Sequence, residues 1–326
     1  MEKERIHYID VAKGLAIFLV VLGHCAATTL GDHSRLFYTI YAFHMPFWFF
    51  LSGLLYNTKN WQSFFSGKVK ALLLPYLFFF MLNCFSYQIL NHTGYLQLHQ
   101  FVKFGGLWFP LALFYVVISY FVLDTYCFKK LKGINRQVVL TILSFGSLIV
   151  GIGGGRNLPI SAFSTTMVCF FFFHIGVLVK NIKDSLNYQT KRDRSIVLGV
   201  SLLLIVILAY TAPFNPAPVD VNYGRYGNKI LFLTQALLGI LGFLLLAAAI
   251  KKNNIIEYFG RNSLLILVIH IPLWHVFDTL FRIVGLFGYV RLLCVFICVS
   301  ILTLLVLIPI NKFIPELKGD FSFDKK

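Results

Sequence analysis

Apolar residues run along this chain in blocks of about twenty, and short polar connections between the blocks gather most of the cations. A helix rising 1.5 Å per residue needs ~20 apolar residues to cross the hydrocarbon core of a bilayer. Ten blocks reach that scale: about 10–30, 37–57, 71–90, 108–127, 138–154, 160–180, 195–211, 229–250, 262–281 and 290–310. The fifth and seventh are short, and the fifth runs into Gly153-Gly154-Gly155. That glycine run has no strand before it and no Lys-Ser/Thr helix after it, so it reads as a surface turn and not a phosphate loop. Leu22-Gly23-His24-Cys25 faintly resembles a lipoprotein cleavage box, but His before Cys does not suit one and the block runs near spanning length. A retained first helix is expected. No linker, repeat or low-complexity segment divides the chain, so one transmembrane domain over 1–326 is expected, with no appended soluble domain.

Composition sharpens this picture. The 326 residues are 58% hydrophobic and only 13% charged, with 35 Phe and 16 Tyr, and the mean hydropathy is +0.77. A soluble domain carries roughly 25% charged residues, so a disordered chain, a fibrous repeat and an ordinary water-soluble enzyme are all excluded. What remains is an all-α integral membrane protein of about ten transmembrane helices. The net charge of +16 would point to nucleic acid in a soluble protein. Here the distribution of the 29 Lys and Arg gives it another meaning. The N-terminus through Lys13, loops 57–70, 128–137, 180–194 and 251–261, and the C-terminal tail hold 22 of them, against 7 in the opposite loops. The positive-inside rule then puts both termini in the cytoplasm, with membrane lipid and not nucleic acid as the partner of this charge. The six cysteines fall inside apolar blocks, unlike a loop disulfide framework. Cys294 and Cys298 lack the companions of a zinc site, and no metal is expected.

Ionisable groups inside the blocks are costly in lipid and usually functional. Asp10, Lys13 and His24 lie on the first block. Lys13 and His24 are eleven residues apart, three helical turns plus ~20°, so they share a face ~16 Å apart along the axis, and Asp10 is placed to pair with Lys13. On the second block stand His44-Met45-Pro46 and Trp48-Phe49-Phe50-Leu51-Ser52-Gly53. His24 and His44 each fall ~10 Å below the same surface of two consecutive antiparallel helices, close enough to share a cavity; a helix–helix hydrogen bond by His44 is an equal alternative. Ser52-Gly53 reads as close packing. On the ninth block, Asn262 or Ser263 reads as an N-cap, Arg261 is available to an anion, and Pro272 is expected to kink the helix after His270. His270 and His174 read as packing residues.

Tyr8-Ile9-Asp10-Val11-Ala12-Lys13-Gly14, running on to Val21-Leu22-Gly23-His24, resembles the opening of the acyltransferase-3 family of membrane O-acyltransferases. His44-Met45-Pro46 and Phe49-Phe50-Leu51-Ser52-Gly53 follow as in its fucose-4-O-acetylase-like branch. Lys70 through Pro75-Tyr76, Leu107-Trp108-Phe109, and Gly260-Arg261-Asn262-Ser263 with His270 continue the resemblance in order along the whole chain. Where the family often has Arg, this chain has Lys13, a point charge without the bidentate fork, and Trp48 stands where Phe is common.

The resemblance implies acyl transfer, usually of acetyl from acetyl-CoA as co-substrate with no permanently bound cofactor. The acceptor would be a hydroxyl of a cell-envelope glycan or its lipid-linked precursor, at the cytoplasmic membrane. Acyl transfer to an alcohol needs a base near neutrality, which imidazole supplies. His24 is the candidate base or transient acyl acceptor, and His44 the group that orients it or the acceptor. Lys13, Lys68, Lys70 and Arg261 are candidates to meet donor phosphates; Asp10, Ser52, Asn262 and His270 are candidate supporting residues. A transporter of a glycan or small polar solute is the rival reading, and it predicts internal repeats with broken helices in matching halves. A membrane scaffold would need no buried ionisable groups and comes last.

Overall fold

The structure, a computed structural model, describes residues 6–57, 60–78, 80–81, 108–131, 133–154, 161–181, 186 and 190–313. The regular structure among the described residues is helical, with a single isolated antiparallel bridge, Asp220 to Arg225. In chain order the helices are α1 (His7–Thr29), α2 (Arg35–Tyr41), α3 (His44–Leu54), α4 (Trp61–Lys68), α5 (Trp108–Val122) and α6 (Gly133–Gly154). Then come α7 (Ser161–Leu178), α8 (Lys191–Thr211), α9 (Lys229–Ile250), α10 (Asn254–Arg261), α11 (Ser263–Ile283) and α12 (Gly288–Phe313). Among the described residues seven helices are long and apolar enough to span a membrane: His7–Thr29, Trp108–Cys127, Gly133–Gly154, Lys191–Phe214, Lys229–Ile250, Ser263–Ile283 and Gly288–Phe313. Phe163–Leu178 is a shorter apolar helix. Much of the block at 71–90 lies outside the described residues, as does Gly155 of the expected surface turn; Gly153 and Gly154 end α6. Ile142 and Ile149 on α6, Leu203 and Val206 on α8, and Leu305 and Ile308 on α12 are exposed. Such apolar faces fit a hydrocarbon solvent and not water. This is a multi-pass membrane protein.

The block at 37–57 is two helices and not one. It breaks at Ala42-Phe43, where Phe43 takes φ −143° and ψ −18°. Pro46 supplies the reason. It has no N–H for the Ala42 carbonyl, but as the third residue of a new helix it loses nothing, because first-turn N–H groups are unpaired anyway. The proline therefore marks a helix start.

The chain forms two compact units. The first holds α1–α3, the last turn of α7, α8–α11 and α12 up to Leu307. At its centre α1 packs against α2, α3, α9, α10 and α11, and its small residues Ala12, Gly14, Ala16, Gly23 and Ala26 are buried. The closest approach is to α10. A Cβ at Gly14 would stand 2.1 Å from the Ile256 carbonyl oxygen, and one at Gly260 2.0 Å from that of Asp10, so glycine is required on both sides of this joint. Elsewhere in the unit α8 and α9 pair along their length. The Arg194 Nε donates to Ala249 O at 2.9 Å and its Nη2 to Ile250 O at 3.2 Å, placing a cation on the carbonyl end of α9.

The second unit, residues 56–174 with 222–224 and 308–326, has an aromatic core in which Phe64 stacks on Phe121 at 4.1 Å and Tyr56 meets Tyr120 edge-on at 5.1 Å. One π turn, Leu123–Cys127, carries the buried Asp124, which accepts from Tyr56 Oη at 3.3 Å and pairs with Arg136 at 3.4 Å. The Thr141 hydroxyl gives its proton to Gln137 O (2.8 Å), so it accepts from His174 Nε2 at 2.9 Å. His174 Nδ1 in turn accepts from Tyr120 Oη at 3.0 Å. With both ring nitrogens engaged, His174 is a helix-packing histidine, consistent with its reading from sequence.

Candidate active site

The first unit brings three histidines from three helices together. α1 is unbroken from His7 to Thr29, so Lys13 and His24 sit three turns apart on one rigid element. His24 is half-buried, and no described residue hydrogen-bonds its ring. His270 of α11 lies edge-on at 5.2 Å between ring centroids, and Trp274, one turn further along α11, at 5.3 Å. Next to His24, Gly23 lets Ile40 and Tyr41 of α2 close on α1. Tyr41 stacks on Phe37 at 3.7 Å and meets His44 edge-on at 4.7 Å. The helix break thus serves the site, because it turns the chain between Tyr41 and His44.

His44 and His270 are built alike. Each stands two residues before a proline, Pro46 and Pro272, and each has its Nδ1 2.9 Å from the carbonyl four residues back, Ile40 and Ile266. A carbonyl only accepts, so each Nδ1 carries the proton and each neutral ring keeps its lone pair on Nε2. The site therefore contains two anchored imidazoles offering acceptors and one unanchored imidazole, His24. Among the described residues no group of three or more His, Cys, Asp or Glu side chains is gathered to hold a metal ion.

The His24 end of α1 is tied down by residues that carried no signal in the sequence. Trp274 Nε1 donates to Thr28 Oγ1 at 3.0 Å, and Arg291 Nη2 of α12 donates to Thr28 O at 2.6 Å. Arg291 also pairs with Asp278 of α11 at 3.2 Å. Asp278 and Arg291 stand on different helices, and Trp274 and Arg291 reach Thr28 from the far end of the chain, so periodicity on one helix could not reveal them.

At the other end of α1, Lys13 Nζ lies 4.0 Å from Asp10 Oδ1, and the Gly14–Gly260 joint holds α10 alongside. His7 meets Glu257 at 3.0 Å, and Asn253 caps α10 by accepting from Ile255 and Ile256 N–H at 3.1 and 3.0 Å. Arg261 is exposed and follows directly on the Gly260 contact with Asp10, which puts it at the level of Lys13. Asn262 precedes α11 but makes no cap with its side chain; its Nδ2 donates instead to Tyr258 O at 2.8 Å. The expected N-cap is thus a closing bond for α10, because the one-residue corner between α10 and α11 aims the amide backwards. Ser52 donates within α3, to Trp48 O at 2.9 Å. Lys68 and Lys70 belong to the second unit, at the end of α4 and in the π turn after it.

Residues 6–312, nearly the whole chain, match the protein family described as an acyltransferase domain, acyltransferase-3. No curated protein and no solved structure matches the chain.

Proposed function

The chain belongs to the acyltransferase-3 family of membrane acyltransferases, and from that premise we propose that it transfers acetyl from acetyl-CoA to a hydroxyl of a cell-envelope glycan or its lipid-linked precursor. The fucose-4-O-acetylase-like branch is the assignment we favour within the family. The observation that carries this reading is His24, an imidazole on a membrane helix that is free of hydrogen bonds to described residues and flanked by His270 and Trp274, with His44 on the other side of Tyr41. Imidazole ionises near neutrality and is suited to take a hydroxyl proton as the oxygen attacks a thioester carbonyl. The expelled CoA thiolate then recovers a proton. Lys13, and Arg261 at its level, supply cations for the donor phosphates. The three turns between Lys13 and His24 suit an extended pantetheine arm. Mass and NMR analysis of envelope glycan from strains with and without the gene tests the reading. Loss of O-acetyl groups supports it, and an unchanged glycan overturns it.

The topology we propose has ten spans with both termini cytoplasmic, in the cytoplasmic membrane, on the 22 to 7 division of Lys and Arg. Cysteine accessibility or reporter fusions should then report both termini and loops 57–70, 128–137 and 180–194 as cytoplasmic. An exported C-terminus overturns the even span count.

Lys13 gives a test of donor binding. If charge is what the phosphates need, Lys13→Arg keeps substantial activity. Lys13→Ala loses one charge-assisted hydrogen bond, about 1.5–3 kcal/mol, and the donor KM should rise roughly ten- to a hundredfold. Should Lys13 only neutralise Asp10, Lys13→Ala paired with Asp10→Asn would instead restore wild-type kinetics.

A further inference from the structure

His270 differs from the other described histidines in one respect. Its side chain is wholly enclosed, 0% exposed, and its Nε2 has no hydrogen-bond partner among the described residues. His174, buried in the second unit, has both nitrogens engaged. In His270 the proton sits on Nδ1, because Nδ1 lies 2.9 Å from the Ile266 carbonyl, which can only accept. Nε2 is therefore a bare lone pair sealed from solvent, an arrangement that folded proteins avoid unless the group has another task. The polar ring beside it is His24, with centroids 5.2 Å apart and planes at 65°. His270 is held by its Nδ1 contact, whereas His24 is unanchored; since a ring nitrogen stands about 1.1 Å from its centroid, a turn of the His24 ring can close an edge-to-edge approach to about 3 Å, within hydrogen-bonding range.

We propose that His270 is the positioning residue for His24, with its Nε2 lone pair accepting the second N–H of the His24 ring during acyl transfer. The inference rests on the acyl-transfer reading above and says how that site manages its proton. The acceptor oxygen forms a bond to the acetyl carbonyl carbon, and its proton passes to the lone-pair nitrogen of His24. The carbon–sulfur bond breaks, and His24 returns the same proton to the CoA thiolate, giving the acetyl ester and free CoA. Between those events His24 is an imidazolium with two N–H groups. One faces the reactants. In a site away from water the other needs an acceptor, and of the two Nε2 acceptors at the site that of His270 belongs to the ring packed against His24. Before the reaction the same contact fixes which nitrogen of His24 is bare, the role a carboxylate takes in a Ser-His-Asp triad. His270 touches neither reactant; it acts through His24.

Three substitutions separate this role from a structural one, because His270 has two nitrogens with different duties. His270→Gln carries an acceptor out to the Nε2 position. His270→Asn reproduces the donor to Ile266 and falls short of His24. His270→Leu removes both. With the purified full-length protein in detergent, acetyl-CoA as donor and envelope glycan as acceptor, CoA release is followed, and each variant is checked for monodispersity and thermal unfolding. His270→Gln should stay within about tenfold of wild-type kcat, while the Asn and Leu variants should fall roughly a hundredfold with the acetyl-CoA KM nearly unchanged. Adding His270→Leu to His24→Ala should cause no further loss, because the pair acts as a unit. Activity kept by Asn and lost by Gln, failure of all three to fold, or wild-type kcat in all three overturns the proposal. A wild-type protein that releases no CoA brings down the acyl-transfer reading, and this inference with it. An active wild type with unaffected variants removes only the role of His270.

Discussion

Replacing His24 with alanine should lower acyl transfer by about two to four orders of magnitude, the contribution of a positioned general base, in a protein that still folds. The two halves of that expectation come from different observations. His24 hydrogen-bonds no described residue, so its removal strands no buried partner, the usual source of severe destabilisation. What is lost is edge-on ring contact with His270 and Trp274, worth about 0.5–1.5 kcal/mol for an aromatic pair. The chemistry has no such cushion. His44 and His270 are each fixed through Nδ1 to a carbonyl of the chain, and neither turns freely into the place of His24. Initial-rate measurement on detergent-purified protein of matched thermal stability decides the matter. A well-folded His24→Ala that keeps more than a tenth of the wild-type rate would show that another group takes the proton.

The second large effect concerns folding. Gly14→Val and Gly260→Ala should each deplete the folded protein, at a cost above the roughly 1–3 kcal/mol typical of overpacking. The reason is what the new carbon meets. At Gly14 it would stand 2.1 Å from the backbone oxygen of Ile256, and at Gly260 2.0 Å from that of Asp10. A backbone oxygen cannot rotate aside, so relief requires α1 and α10 to separate. Gly199→Ala is the control. Nothing lies within 4 Å of a Cβ there, on an exposed face of α8, and alanine is favoured over glycine in a helix by about 1 kcal/mol. Thermal unfolding and size-exclusion profiles of the three variants should rank Gly199→Ala at or above wild type and the other two far below. Equal stability of Gly260→Ala and wild type would mean that α1 and α10 do not meet as described.

What the sequence made legible was whatever depends on spacing along one helix. The blocks that became α1, α5, α6, α8, α9, α11 and α12 were plain because hydropathy is a local property. The shared face of Lys13 and His24, and the Asp10–Lys13 pair, follow from the helical repeat alone. The break between α2 and α3 is not visible in hydropathy, because the apolar run continues through it; Pro46, in the first turn of α3, is its one local mark. The nearness of His270 to His24 was hidden for another reason, since it depends on how α11 meets α1, across roughly 250 residues of chain. Thr28, Trp274, Asp278 and Arg291 belong to the same class. Asn262 had the residue type of a cap, but the corner it occupies reversed the direction of its amide.

The single unbroken helix from His7 to Thr29 makes the distance between its two functional levels a matter of counting. α1 works as a gauge with eleven divisions between Lys13 and His24, and α11 lies beside it as a second rail, from Ser263 to His270 in seven. Adding one division to either rail lengthens it by only 1.5 Å but turns everything beyond by about 100°, and one histidine leaves the other. These two intervals are therefore fixed as integers.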